Sequence, residues 1–246
     1  METPTYIALS RQTILQRQMD IIANNLANAA TPGYKAENSL FAQHLIKAER
    51  PRQLAYVEDI RSYRDFAAGP LQSTGNDLDL AINGKGFFTI QTPEGTRYTR
   101  DGRFTLNAQG QLVTSENFPV LAGGAPLTID PADGQVQIAK DGSVSTDRAR
   151  NGQFLNVLGR LDVVTFSDTQ ALIAENSNLY SAPASITPTN DLDPNIAQRM
   201  LEDSNVKPVV ELTSLISVSR SYQAAQQFIN SEHERQRKAI SAIVAS

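Results

Sequence analysis

The sequence predicts an α+β protein of more than one part: a long helix at each end and an all-β domain between them. Three observations carry this. Of 14 glycines, 12 lie between Gly75 and Gly159, and none occurs in residues 1–32 or 160–246. Glycine serves turns and weakens helix interiors, so the middle is turn-rich and the ends are free to be helical. Apolar residues near both ends recur every seven positions, the period of a coiled-coil seam. Between them, short apolar runs are separated by Asp-Gly and Asn-Gly dipeptides at intervals of about 8–12 residues, the pattern of a small barrel or sandwich.

The first helix is expected over residues 4–30. Thr3 can cap it, and Pro4 fits the first helical position, where a missing N–H costs nothing. Ala8, Leu15, Ile22 and Ala29 recur every seven, and Met19 and Leu26 interleave with them. The row Ile7, Ile14 and Ile21 runs alongside, so the apolar face is wider than one partner helix needs. The pattern fits both a core helix of a bundle and a helix that serves several neighbours. Thr31-Pro32-Gly33 should end the helix, since Pro turns its predecessor away from the helical region and Gly permits positive φ.

Residues 36–75 read as a linker. Leu40, Phe41, Leu45 and Ile46 suggest one or two helical turns, Pro51 and the charged run Glu58-Asp59-Ile60-Arg61 follow, and Gly69-Pro70 closes the segment. Residues 76–182 read as the all-β domain, with strands expected at Leu78–Ile82, Phe87–Gln91, Phe104–Leu106, Gln111–Thr114, Val136–Ile138 and Leu161–Phe166. Its strongest hairpin signals are Asp101-Gly102, Asp133-Gly134, Asp141-Gly142 and Asn151-Gly152. Residues 183–208, with Pro183, Pro188, Pro194 and Pro208, read as a return linker. From residue 209 to the end there is no Pro or Gly, and Leu215, Tyr222, Ile229 and Ile243 follow the heptad, with Leu212 and Ile240 on a companion row. Ser219, Gln226, His233 and Gln236 dilute that seam, and so polar a helix is marginal alone in water.

Composition excludes much chemistry. The chain has no Cys, which removes disulfides, Cys-type zinc sites and thiol nucleophiles together. Its two histidines, His44 and His233, are far apart in sequence; each reads as a surface or packed residue on a helix. With 22 basic against 26 acidic residues the net charge is −4, and there is no basic tract to neutralise phosphates, so nucleic acid is not an expected partner. No apolar stretch is long enough to span a bilayer, so direct membrane insertion is not expected. The opening Met1-Glu2-Thr3-Pro4 is acidic and the first basic residue is Arg11, the reverse of a secretory leader. Such a chain either stays inside the cell or leaves by a route that reads no cleavable signal.

The motifs that imitate chemistry each have a plainer reading. Asn83-Gly84-Lys85-Gly86 lacks the spacing and following helix of a phosphate loop and reads as a hairpin turn. Asp191-Leu192-Asp193-Pro194-Asn195 lacks the turn Gly and distal Glu of a calcium loop and reads as a solvated linker. Asp77 and Asp79 read as solubilising residues at a strand edge, and Arg235-Gln236-Arg237-Lys238 as cations complementing a helix C-terminus. No catalytic, cofactor-binding or metal-ligating residues emerge, so an enzyme is not expected. Asn24, Asn25 and Asn28 stand out, because three Asn in a turn and a half are poor helix formers. They mark either a fraying helix end or side-chain amides that hydrogen-bond to a neighbouring chain.

The segment Ala23-Asn-Asn-Leu-Ala-Asn-Ala-Ala-Thr-Pro-Gly-Tyr-Lys35 resembles the N-terminal signature of the flagellar rod and hook proteins, axial components of the bacterial flagellum. Gly69–Phe88 looks like that family's entry into its β domain, and Tyr98–Leu106 like its next hairpin. Leu201–Val206, with Arg220-Ser221-Tyr222 later, is similar to its C-terminal signature. The motifs come in order over nearly the whole chain, with Pro32 a local departure. The openings Tyr6–Gln12 and Arg17–Asn25 look most like proximal-rod members, with distal-rod members close behind. Hook members are disfavoured by their longer central region.

The resemblance implies one discontinuous terminal domain made by residues 1–35 and 209–246, linkers at 36–75 and 183–208, and an outward β domain at 76–182. It implies a structural role in a helically arranged shaft that crosses the periplasm and transmits torque. Copies of the same chain, other rod proteins and the flagellar type III export apparatus would be its partners, and no cofactor is implied. The expected assembly interface comprises Ile7, Ile14, Leu15, Met19, Ile21, Ile22, Asn24, Asn25, Leu26, Asn28, Leu212, Leu215, Tyr222 and Ile229. A secreted filament-capping or adhesin-like β protein is the rival reading, and a β-barrel enzyme a third.

Overall fold

The structure, a computed structural model, describes residues 3–46, 54–147 and 156–244. The chain divides into two compact units, the first made of residues 1–29, 36–65 and 206–246 and the second of residues 30–35 and 66–205.

The first unit contains helix α1 (Thr3–Ala27), strands β1 (Glu37–Ile46) and β2 (Leu54–Arg64), and helix α2 (Pro208–Val244). α1 ends three residues before the expected Ala30, where the Asn28 N–H bonds back to the carbonyls of Asn24 and Asn25. α2 starts on Pro208, a position that suits a residue without an N–H. β1 and β2 form a long antiparallel ladder from Glu37↔Arg64 to Ile46↔Leu54. This corrects the expectation of an irregular linker with helical turns, and it moves His44 from a helix to a strand. The reason is a bulge: Ala42 pairs with Asp59 but Gln43 with Val57, so Glu58 is an extra residue. The bulge shifts the strand's alternation by one, and no single two-residue period runs its length.

Among the described residues the second unit is β apart from short 3₁₀ turns and loops. Its largest sheet is antiparallel, in the order Ile173–Ala174, Leu179–Ser181, Gly95–Thr99, Phe87–Thr92, Val163–Thr165, Thr189–Asn190. Strand alternation sends Phe87 and Phe88 to opposite faces. Phe88 and Ile90 enter a core with Leu80, Phe104, Leu112, Val144 and Ile196. Phe87 joins Tyr98, Val164, Leu172 and Tyr180 in a second, aromatic core, where rings such as Tyr98 and Phe166 meet edge to face. A three-stranded sheet (Val136–Ile138, Ser143–Thr146, Asn156–Arg160) and several two-stranded ladders complete the unit.

The return segment is more ordered than its prolines suggest. Thr189–Asn190, Ile196–Gln198 and Met200–Glu202 are all strands, pairing with Val163–Thr165, Leu80–Ile82 and Leu71–Ser73. Pro183, Pro188 and Pro194 fall outside these ladders, where a missing donor is harmless. Asp141-Gly142 closes a hairpin as expected: the Ala139 N–H donates to the Ser143 carbonyl, the Gly142 N–H donates to the Ala139 carbonyl, and Gly142 has a φ of +89°. Asn83–Gly86 and Asp101-Gly102 do not close hairpins, because the strands flanking each pair elsewhere. Gly102 is needed for close approach instead, since its carbonyl accepts from the Leu80 N–H and a Cβ would strike the Leu80 carbonyl. Asn151-Gly152 lies outside the described residues. Asp79 is buried and accepts from the Asn76 amide at 3.0 Å, a correction to its solubilising role, while Asp77 pairs with Arg199 at 2.6 Å.

Candidate assembly surface

The helical ends find their first partner in each other. Leu15 and Ile22 of α1 bury against Val218 of α2, framed by Met19, Leu215, Tyr222 and Ala225. Gln12 donates to Tyr222 Oη at 2.8 Å and to Gln226 Oε1 at 2.6 Å, and Asn25 reaches Glu211 at 3.5 Å. These contacts set the two helices antiparallel. Val218 and Ala225 belong to the seam although the heptad reading passes over them. Their signal is in the sequence: Leu215, Val218, Tyr222, Ala225 and Ile229 follow a three-four alternation. Ile14 and Ile229 are also buried.

The other expected interface residues divide. Leu212, assigned by sequence to the companion row of the seam, is 45% exposed and lies on another face of α2. Ile7 lines an apolar groove of about 500 Å³ with Ala8, Arg11, Ala224 and Phe228. Ile21 lines a smaller polar notch beside Glu211, and Leu26 is half-buried. Beyond the seam α2 carries further exposed apolar residues, Val209, Val210, Ile216, Phe228 and Ile240.

The asparagines have separate roles. Asn25 is buried; its Nδ2 donates to the Glu37 carbonyl at 2.8 Å and its Oδ1 accepts from the Glu37 N–H at 2.9 Å. One side-chain amide thereby pairs with the first residue of β1 as a neighbouring strand would. The Asn28 amide donates to the Asn24 carbonyl and side-chain oxygen at 2.9 and 2.8 Å, a local closure of the helix end. Glu211 is half-buried, and that burial pushes its carboxyl above the usual range, with the Asn25 hydrogen bond pulling the other way.

In the second unit, residues 30–35 are held as a strap. Thr31-Pro32-Gly33-Tyr34 closes a turn with Pro and Gly at its centre, Gly33 at φ +69°, and a Tyr34 N–H bond to the Thr31 carbonyl. The Gly33 N–H donates to the Glu202 carbonyl, and Asn178 Nδ2 donates to the Pro32 carbonyl. Asn178 itself is left-handed, at φ +58°. Lys35 is fully buried and donates to Glu202 Oε1 at 2.5 Å and to the Ala67 carbonyl at 2.8 Å. Glu202 also accepts from the Gly69 N–H at 3.0 Å and from Arg100 Nη1 at 3.2 Å. Arg100 lies over the Phe87 ring at 5.4 Å and donates to the carbonyls of Ile82 and Gly84. Burial holds its pKa below the usual guanidinium value, and Glu202 opposes that shift. Sequence reasoning missed this trio, since nothing local pairs residues 35, 100 and 202.

Residues 6–35 match the family described as flagella basal body rod protein. Residues 81–146 match the D1 domain of the flagellar hook protein FlgE/F/G, and residues 197–242 the C-terminal region of the flagellar basal body rod FlgEFG proteins. The chain belongs to the flagellar basal-body rod family. It is 41% identical over 245 residues to the flagellar basal-body rod protein FlgF of Caulobacter vibrioides, covering 98% of this chain and 97% of that one. To FlgF of Mesorhizobium japonicum it is 37% identical, with 91% and 90% covered. FlgG of Buchnera aphidicola subsp. Schizaphis graminum is 30% identical, with 91% and 93% covered. Within the family the chain stands close to FlgF.

Proposed function

We propose that this chain is a structural subunit of the proximal part of the flagellar basal-body rod, with a mechanical rather than a catalytic role. The observation that carries the reading is the apolar surface left on the helix pair. α1 and α2 satisfy each other along one seam, yet Leu9, Val209, Leu212, Ile216 and Phe228 stay largely exposed. A row of exposed apolar residues on a regular helix suits burial by further subunits. Contacts between unlike faces that do not close on themselves generate a filament. Leu15, Met19, Ile22, Leu215 and Tyr222 then shape the pair, while Ile7, Ile21, Leu26 and Leu212 face neighbours. Those neighbours are copies of the chain and other rod proteins, delivered through the type III export apparatus.

The test is electron microscopy of isolated basal bodies carrying the chain with a small tag in the exposed turn Gly123–Gly124, between Leu121–Ala122 and Ala125–Pro126. Tag density on the proximal rod is expected. A tagged chain that supports motility yet is missing from purified basal bodies would sink the reading.

A further inference from the structure

The segment Asn83–Gly86 closes no hairpin, and it has another place in the second unit. Lys85 and Gly86 line a cavity of about 180 Å³ together with Arg100. Phe66, Phe87 and Phe166 supply its apolar wall, and Thr165, Ser167 and Thr169 bring hydroxyl groups. Among the described residues none that lines it is acidic. The Thr165 hydroxyl is spent on the Thr189 carbonyl at 3.4 Å. Lys85 is exposed and makes no ion pair among the described residues.

Arg100 is 4% exposed and short of acceptors. Its Nη1 spends both hydrogens, on the Ile82 carbonyl and on Glu202 Oε2, and its Nη2 makes one bond, to the Gly84 carbonyl. The buried Nε–H has no hydrogen-bond partner. Nε and Nη2 share one edge of the planar guanidinium, and two parallel donors on an edge are the fork that grips a carboxylate. A buried donor left unmade is costly, so an acceptor that reaches it is held firmly. Glu202 divides its charge between Arg100 and Lys35, and burial lowers the Arg100 pKa more than Glu202 raises it. The guanidinium charge is under-compensated on the side of the trio. The cavity is also small. Pockets for drug-sized ligands start at about 300 Å³, whereas this one holds a single side chain. Cations and hydroxyls select a carboxylate, and the phenyl rings select a short methylene stem behind it.

We propose that this cavity receives the carboxylate of a glutamate side chain from an adjoining rod subunit, gripped by Arg100 within and Lys85 at the rim, with its methylenes against Phe66 and Phe166. This rests on the rod reading and adds to it a contact made by the β unit, separate from the helices. Arg100 then has two tasks: it ties the entry strap to the β unit through Glu202, and it offers its free edge to a neighbour.

The site is tested first on the isolated full chain, titrated with propionate against propionamide and chloride at equal ionic strength. Propionate alone should shift the amide signals of Lys85, Gly86 and Ser167 and raise the thermal transition of the β unit. Lys85→Gln should weaken that response about threefold and leave the transition of the free chain unchanged, since Lys85 is exposed and outside the buried trio. A propionate response no larger than that of propionamide overturns the site. The occupant is tested in cells that lack the unaltered chain. There a photo-crosslinking benzoylphenylalanine replaces Asn83, which is exposed beside Lys85, and isolated basal bodies are irradiated. An adduct with a rod subunit through a peptide that holds a glutamate is expected. Changing that glutamate to glutamine, or Lys85→Glu in this chain, should each lower incorporation about tenfold. Propionate binding without any adduct, from chains present in basal bodies, overturns the neighbouring side chain as occupant and leaves the rod reading intact. Absence of the unaltered chain from basal bodies refutes the rod reading itself, whatever propionate does.

Discussion

Glu202 gathers three stretches of chain that are remote in sequence: the strap through Lys35, the entry to the β unit through Gly69, and the strand end at Arg100. Replacing it with Gln leaves two buried cations short of their carboxylate. The expected loss is about 3–5 kcal/mol in the stability of the second unit, read from its urea transition. Lys35→Met should cost less, because Glu202 keeps Arg100 and the Gly69 N–H. Gly33→Ala fails for a separate reason: the added Cβ would lie 2.5 Å from the Arg100 backbone, at a φ of +69°. A loss of roughly 1–3 kcal/mol, or more if the strap lifts, is expected in the same transition. On the rim, Arg97 donates to Glu175 at 2.7 Å and holds that carboxyl below its ordinary value of 4.5. Its stabilisation is complete above that value and is lost as pH falls through the depressed one. Glu175→Gln should therefore flatten part of the acid limb of a stability–pH curve, by a small amount for so exposed a pair.

At the scale of elements, the α1–α2 pair rests on a thin seam. Leu15→Asp with Ile22→Asp places two carboxylates against Val218 and Tyr222, at a cost of several kcal/mol by burial and desolvation together. The pair should open and rod incorporation cease, while the thermal transition of the β unit is unchanged. Normal rods built from that variant would refute the role of the seam. Glu211 adds a pH signature of opposite sign to Glu175. Its folded pKa is raised, so the free helix pair loses stability as pH climbs from the ordinary Glu value through the raised one, and Glu211→Gln abolishes that slope. Both helices were legible in the sequence because heptads and the absence of Gly and Pro are local signals. The β1–β2 ladder was not, since the bulge at Glu58 breaks the alternation that would have marked it. The strands after Pro188 and Pro194 were hidden by prolines that sit just outside them. The Lys35–Glu202–Arg100 trio was illegible for a stronger reason: each residue is ordinary in its own neighbourhood, and only the fold makes them neighbours.

For the whole molecule the asymmetry between the units matters most. The β unit has an extended core around Phe88, Ile90, Leu112 and Val144 and a second one around Phe87 and Tyr180, whereas among the described residues the seam of the helix pair clusters Leu15, Ile22 and Val218, with Ile14 and Ile229 buried beside it. Helices held by so few buried side chains draw little on tertiary packing, the main source of helix stability. In the dilute monomer the amides of α1 and α2 should exchange orders of magnitude faster than those of Phe87–Thr92, and incorporation into a rod should slow them. Equal protection in the free chain would show that the helices need no neighbours to order.

The chain passes between its two units four times, and within the second unit the segments that follow residue 66 and precede residue 205 pair as Leu71–Ser73 with Met200–Glu202. Tension on residues 66–70 and 203–205 that pulls them apart acts on that ladder as on the mouth of a zipper. Glu202 sits near its open end, opposite Leu71, where its Oε1 accepts from the Gly69 N–H and Lys35 and its Oε2 from Arg100. The bond from the Asp203 N–H to the Pro70 carbonyl meets the load first, and the buried ions at Glu202 stand directly behind it.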